Sequence, residues 1–180
     1  MKIKISKIGA AKSQLLEAIN LFFEGRDPVS IHTLVGAALE ILNDHFNAKE
    51  VRDSNLVLHK DSIHIKDEYR KEWKDSINKF KNFFKHADRD LKQGVREIEF
   101  SPDINEIFIL EAIHRLQGVE KDKDVHEPEF KVFIAWMMKM RPGLFKEDQK
   151  QNVEKIGELE LNSLQDFRNS LLYLKGRIGI

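Results

Sequence analysis

The chain has 180 residues, a length typical of one globular domain with one hydrophobic core. Its 30 Lys and Arg balance 30 Asp and Glu, so the net charge gives no general attraction to nucleic acid or to an acidic membrane. The sequence contains no cysteine, which excludes disulfides, thiolate zinc sites and cysteine nucleophiles.

The chain also lacks the features of an exported or membrane protein. No stretch approaches the roughly 18 consecutive apolar residues of a membrane span. The N-terminus MKIKISKIGAAKSQ has no apolar run long enough for a signal peptide. We therefore expect a soluble cytoplasmic protein without a membrane partner.

Two helices open the predicted fold. Between Ser6 and Glu24, apolar residues recur every three or four positions, which predicts an amphipathic helix that stops at Gly25. Asp27 and Pro28 are typical of the N-cap and first residue of a second helix, which is predicted to run to about Phe46. The connection is so short that the two helices should form an antiparallel hairpin.

The middle of the chain alternates between weak and strong helical patterns. Brief alternation between Asn47 and Lys66 predicts a short extended segment or hairpin. Residues Asp67 to Ala87 predict a third helix with its aromatic residues on one face, and GVREIEF, residues 94–100, predicts a second extended segment. Ser101, Pro102 and Asp103 are typical of a side-chain N-cap, a first turn and an acidic start, so they predict a fourth helix that runs to about Gln117 and is apolar around most of its circumference.

The C-terminal third predicts further helices. The charged run 120–124 predicts a solvated loop, and Pro128 opens a fifth helix that ends before Pro142. Residues 147–175 predict a helical segment with breaks near Gly157 and Asn162. No repeat or flexible linker divides the chain. We therefore predict that the whole chain is one all-α domain, a bundle of about six helices.

The stretch NFFKHADRD, residues 82–90, holds the main candidate chemistry. On the predicted third helix, Asn82 and His86 lie four residues apart on the face opposite the aromatic residues, with Lys81 and Lys85 beside them. Histidine exchanges a proton near neutral pH, and Asn and Lys can hold phosphate oxygens, so these residues predict phosphodiester chemistry. A solvated helix end is the alternative interpretation. The residues expected to bind the ligand are Lys85, Asp88, Arg89 and Asp90.

The segment RDPVSIH provides a second candidate pair. Arg26 and His32 stand six residues apart across the junction between the first two helices. An arginine that binds phosphate and a histidine that moves a proton suit cleavage of RNA. Because Pro28 places Arg26 before the helix and His32 in its first turn, a purely structural histidine is the alternative.

Glu111 and His114 form a Glu-x-x-His pair, which supplies ligands to iron or manganese in some helical bundles. Such a site needs the pair twice, and the sequence contains no second copy. Arg115, four residues after Glu111, offers an ion pair instead. We expect neither a metal site nor a cofactor.

DPVSIHTLVGAALEIL, residues 27–42, and NFFKHADRD together resemble a family of small bacterial helical proteins without an assigned activity. KNFFKH is more distantly similar to the Arg-Asn-x-x-x-His motif of the HEPN superfamily. Asn82 and His86 match that motif, and Lys81 stands where arginine is expected, which keeps the charge but loses bidentate phosphate geometry. RDPVSIH is an alternative match. The HEPN resemblance implies a compact helical bundle, often dimeric and often RNA-cleaving.

Three functional hypotheses follow from the sequence. The first is a HEPN-like homodimer that binds or cleaves RNA or a nucleotide through the end of the third helix. The second is a non-catalytic protein-interaction or homodimerisation module, and the third is a bundle that binds a metal or a small molecule. Proximity of His32 to His86 in the fold would join the two candidate segments into one site.

Overall fold

The computed structural model describes residues 2–49, 79–85, 96–120 and 127–178. Within these ranges the regular secondary structure is helical and contains no β-strand, which confirms the predicted all-α class. The predicted hairpin lies outside the described residues, apart from its first positions, which belong to a helix. Residues 96–100, predicted to be extended, form neither helix nor strand.

The first two helices are confirmed: α1 spans Lys7–Phe23 and α2 spans Pro28–Lys49. The side chain of Ser6 caps α1, because its Oγ accepts a hydrogen bond from the backbone N–H of Gly9 at 2.9 Å. Gly25 follows the end of α1 and prevents the helix from continuing. Its φ is 63°, a left-handed conformation that costs glycine little. The short connection brings α1 and α2 into close packing, as predicted.

Asp27 caps α2, as predicted. Its carboxylate accepts hydrogen bonds from the backbone N–H groups of Val29 at 3.2 Å and Ser30 at 2.9 Å, and from the Ser30 hydroxyl. These hydrogen bonds hold the pKa of Asp27 below its usual value. The bond from the Ser30 hydroxyl has the largest effect, and the bonds from the backbone N–H groups have the next largest. Pro28 occupies the first helical position, where the helix needs no N–H donor.

Two further helices pack against α2. Helix α3, residues 79–85, is the described part of the predicted third helix, and α4 spans Ile104–Val119. Nearly every residue in the first three turns of α4 is buried, which confirms its predicted central position. The predicted side-chain cap is wrong: backbone carbonyls of residues 101–103 accept the first N–H groups of α4.

The described residues 127–178 contain three α-helices and two short 3-10 turns. Helix α5 spans Pro128–Met140, α6 spans Lys150–Gly157 and α7 spans Leu164–Ile178, with turns at Pro142–Leu144 and Glu147–Gln149. The proline start of α5 and the break near Gly157 are confirmed. Among the helices described, none is long and apolar enough to cross a membrane.

The hydrophobic core contains buried residues from α1 to α5 and from α7. Aromatic contacts connect α5 to α1 and to α7. The ring of Trp136 on α5 lies edge-on to Phe22 of α1, with ring centroids 5.9 Å apart, and to Phe167 of α7, with ring centroids 5.3 Å apart. Phe80 brings α3 to the same core. The core therefore fixes α3 against α2, where the candidate site lies.

Candidate functional site

His32, in the first turns of α2, is completely buried. Its Nδ1 atom lies 2.8 Å from Oδ1 of Asn105 on α4. Four phenylalanine rings surround the imidazole at centroid distances between 4.5 and 6.2 Å, namely Phe80, Phe84, Phe100 and Phe108. His32 therefore lies on the inner face of α2 in a mostly aromatic environment.

Asn105 fixes the orientation of this histidine. Its Nδ2 atom donates a hydrogen bond to the backbone carbonyl of Pro28 at 2.9 Å, which directs its Oδ1 atom at His32. Because Oδ1 can only accept, Nδ1 of His32 carries the proton and donates it. A buried amide side chain needs hydrogen-bond partners. The two hydrogen bonds of Asn105 connect the start of α2 to α4.

Arg26 does not join His32. Its side chain is 66% exposed, and its Nε atom donates to the Glu24 carboxylate at 3.1 Å. His32 has instead an enclosed, mostly aromatic environment. The structure thus keeps the two residues of RDPVSIH in different surroundings, contrary to the predicted pair, because the cap at Asp27 separates an exposed turn from the inner face of α2.

A pocket of about 80 Å³ lies between α2 and α3. Its α2 side is lined by His32, Thr33, Gly36 and Ala37, and its α3 side by Lys81, Phe84 and Lys85. Phe84 and Lys85 of NFFKHADRD and His32 of RDPVSIH therefore line one pocket, together with Lys81. His86, Asp88, Arg89 and Asp90 lie outside the described residues, so the structure does not test whether His32 and His86 share a site.

Lys81 lies on the inner side of α3. Its residue surface is only 9% exposed, and its stem packs on α2 so closely that a Cβ added to Gly36 would lie 3.4 Å from its Cγ. The next residue, Asn82, is exposed. A lysine stem can cover apolar surface while its ammonium group reaches a polar partner, and the Lys81 stem covers α2 in this way. The expectation that Lys81 borders the Asn82 surface is therefore wrong.

Glu40 on α2 is that polar partner, and it binds both lysines. Its Oε1 atom lies 3.1 Å from Lys81 Nζ, and its Oε2 atom accepts a hydrogen bond from Lys85 Nζ. Partial burial acts to raise the pKa of Glu40, but the hydrogen bonds and charges of Lys85 and Lys81 hold that pKa below its usual value. At neutral pH, one carboxylate thus faces two ammonium groups.

Sequence reasoning missed Gly36, Glu40 and Asn105. His32, Gly36 and Glu40 are spaced four apart, which places them on one face of α2 and could have linked them. Asn105 is a polar residue near the start of an apolar helix, a position that requires a hydrogen-bond partner. The identity of that partner depends on tertiary packing.

The predicted ion pair between Glu111 and Arg115 on α4 is confirmed. Arg115 Nε lies 2.8 Å from Glu111 Oε1, and both side chains are only 5% exposed. Within the described part of the chain, no group of three or more His, Asp or Glu residues could hold a metal ion.

Comparison of the chain with family models, with curated proteins and with solved structures gives no match. The fold and the site define the class: an all-α bundle with a lysine-lined pocket between two of its helices.

Proposed function

We propose that this chain is a cytoplasmic protein that binds RNA or a nucleotide, and that the pocket between α2 and α3 receives a phosphate group. One observation carries the proposal: Lys81 and Lys85 line the same pocket as His32. Ammonium groups are strong hydrogen-bond donors to phosphate oxygens. Lys81 and Lys85 both contact the Glu40 carboxylate, so their ammonium groups are close enough to bind one anionic group.

The surroundings of the lysines add two supporting features. Two ammonium groups against the single carboxylate of Glu40 give a local positive excess in a chain whose overall charge is zero. The aromatic ring of Phe84 also borders the pocket, and nucleic-acid bases stack on such rings. Both features favour an anionic ligand that carries a base.

The catalytic form of the proposal adds HEPN-like cleavage of RNA. It assigns proton exchange to His86 and contact with the substrate to Asn82, which is exposed on α3. Lys81 takes the place of the motif's arginine in the sequence, but its ammonium group pairs with Glu40 on the inner side of α3, and lysine lacks bidentate geometry. This form rests on the motif resemblance, whereas the binding form rests on the pocket.

Lys85→Ala is expected to weaken binding of a fluorescently labelled single-stranded RNA roughly tenfold, because one charge-assisted hydrogen bond to phosphate is lost. The slope of log K against log salt concentration should fall in magnitude by about one. Fluorescence anisotropy at several salt concentrations measures both quantities. Lys155→Ala is the matched control, since Lys155 is exposed on α6 outside the pocket.

Two outcomes of the binding experiment count against the proposal: absence of RNA binding by the wild type, or equal weakening by Lys85→Ala and Lys155→Ala. The same RNA tests cleavage when it is incubated with wild type and His86→Ala. The catalytic form expects cleavage by the wild type alone. Equal cleavage by both proteins, or none by either with varied metals, removes that form and leaves the binding form standing.

A second candidate function is homodimerisation or docking of a protein partner. Leu172 and Tyr173 are 56% and 60% exposed side by side on α7, and the Arg177 guanidinium covers the tyrosine ring at 4.8 Å. Aromatic residues and arginine are enriched at protein interfaces. Light scattering should give the mass of a dimer of this 21.1 kDa chain, and the Leu172→Ser, Tyr173→Ser double variant should be monomeric. A monomeric wild type contradicts homodimerisation.

A further inference from the structure

Glu40 already holds the position from which an anion can contact both pocket lysines. Its Oε1 atom lies 3.1 Å from Lys81 Nζ, and its Oε2 atom accepts a hydrogen bond from Lys85. A ligand that binds both ammonium groups must therefore take the place of the Glu40 carboxylate.

The Glu40 carboxylate is able to leave this position. Its side chain is 39% exposed and that of Lys85 is 46% exposed, so the carboxylate can rotate into solvent without opening the core. The pair between Glu40 and Lys85 is exposed enough to contribute little to stability, because water solvates the separated charges almost as well. The Lys81 side chain is only 9% exposed, so its ammonium group needs another anionic partner when Glu40 leaves, and the ligand supplies it.

Charge decides which anion gains most from the exchange. The Glu40 carboxylate supplies one negative charge against two ammonium groups, and a phosphodiester supplies the same single charge. A terminal phosphate monoester carries about 1.5 to 2 negative charges at neutral pH and presents three acceptor oxygens. It can therefore neutralise both lysines, whereas a phosphodiester only replaces one monoanion with another.

The pocket leaves open space beside the two lysines. Its volume is about 80 Å³, and Lys81, Lys85 and Phe84 are among its lining residues. A phosphate that binds both ammonium groups in place of Glu40 would border this space, and the rest of the ligand would extend past Phe84 toward solvent.

We propose that the pocket between α2 and α3 binds a terminal phosphate monoester, on an RNA end or a mononucleotide, in exchange for the Glu40 carboxylate. This proposal rests on the proposed function and deepens it by naming the anionic group. The exchange makes and breaks no covalent bond: Glu40 rotates into solvent, and Lys81 and Lys85 donate to phosphate oxygens instead.

The test measures the affinity of two RNA oligonucleotides that share one sequence and a 3′ label but carry either a 5′-phosphate or a 5′-hydroxyl. Wild type is expected to bind the 5′-phosphate form about fivefold more tightly. Glu40→Gln should strengthen that binding by roughly another five- to tenfold, because the neutral amide competes poorly for the lysines. Glu17→Gln, at an exposed position of α1, is the control and should bind as wild type does.

Each outcome separates the exchange from the proposed function. If Glu40→Gln binds no more tightly than wild type, while Lys85→Ala still weakens binding, the exchange is overturned and the proposed function stands. Equal wild-type affinity for the two RNAs overturns the preference for a terminal phosphate. If neither wild type nor Glu40→Gln binds, both proposals fall.

Two additional measurements complete the test. Circular dichroism checks the fold of Glu40→Gln, and Glu40→Ala replaces it if the helical signal is lost. Unlabelled adenosine monophosphate, used as a competitor, identifies the source of the phosphate. Competition equal to that of 5′-phosphorylated RNA supports the exchange with a mononucleotide as ligand, and weaker competition supports it with an RNA end.

Discussion

Arg115→Met is expected to lower the free energy of unfolding by about 3–5 kcal/mol. The side chains of Arg115 and Glu111 are both 5% exposed, and Arg115 Nε lies 2.8 Å from Glu111 Oε1. The substitution therefore removes the guanidinium from beside a buried carboxylate. The cost comes from that buried charge, since methionine retains most of the apolar volume of the arginine stem. Urea denaturation followed by circular dichroism measures the change.

Two further variants isolate the contribution of the buried charge. The double variant Glu111→Leu, Arg115→Met should recover most of the loss, because apolar residues that replace both partners of a buried pair are often tolerated. Lys150→Met removes one partner of an exposed pair with Glu147 and should change stability little. If Arg115→Met is as stable as Lys150→Met, burial of the α4 pair does not have the expected energetic effect.

Phe108→Ala is expected to destabilise the protein by roughly 3–5 kcal/mol. Phe108 on α4 is completely buried, and its ring centroid lies 4.5 Å from that of His32. Its removal leaves a cavity behind the wall of the pocket, between α4 and α2. The loss of stability should therefore be accompanied by weaker RNA binding, and both are measurable on the purified protein.

The control for Phe108→Ala is the same substitution at a less buried phenylalanine. Phe83 on α3 is only partly buried, so Phe83→Ala should cost clearly less. Phe108→Leu retains much of the volume and should give an intermediate loss. Equal losses for Phe108→Ala and Phe83→Ala would contradict the central position assigned to Phe108.

Local signals in the sequence predicted the helices well. Gly25, Asp27 and Pro28 act through neighbouring backbone groups, so their effects are readable within a few residues of the chain. The apolar circumference of α4 likewise predicted its central position. The missing side-chain cap at residues 101–103 is the exception, since a turn of backbone hydrogen bonds replaces it.

The candidate site was only partly predictable, because its key contacts join distant parts of the chain. The contact between His32 and Asn105 spans 73 positions, and that between Glu40 and Lys85 spans 45. Periodicity assigns each residue to a face of its own helix but does not say which helix covers that face. The inward position of Lys81 was missed for the same reason.

Asn105 donates a hydrogen bond to the Pro28 carbonyl and accepts one from His32, so the His32 end of the pocket differs from the lysine end in its mechanical properties. One end is preorganised, because buried polar contacts lock the start of α2 to α4. At the other end, Lys81 is buried, whereas the pair between Lys85 and Glu40 is partly solvated and can rearrange at small cost. A ligand would therefore meet a rigid wall on one side and an adjustable rim on the other, so its binding would reorganise side chains rather than helices.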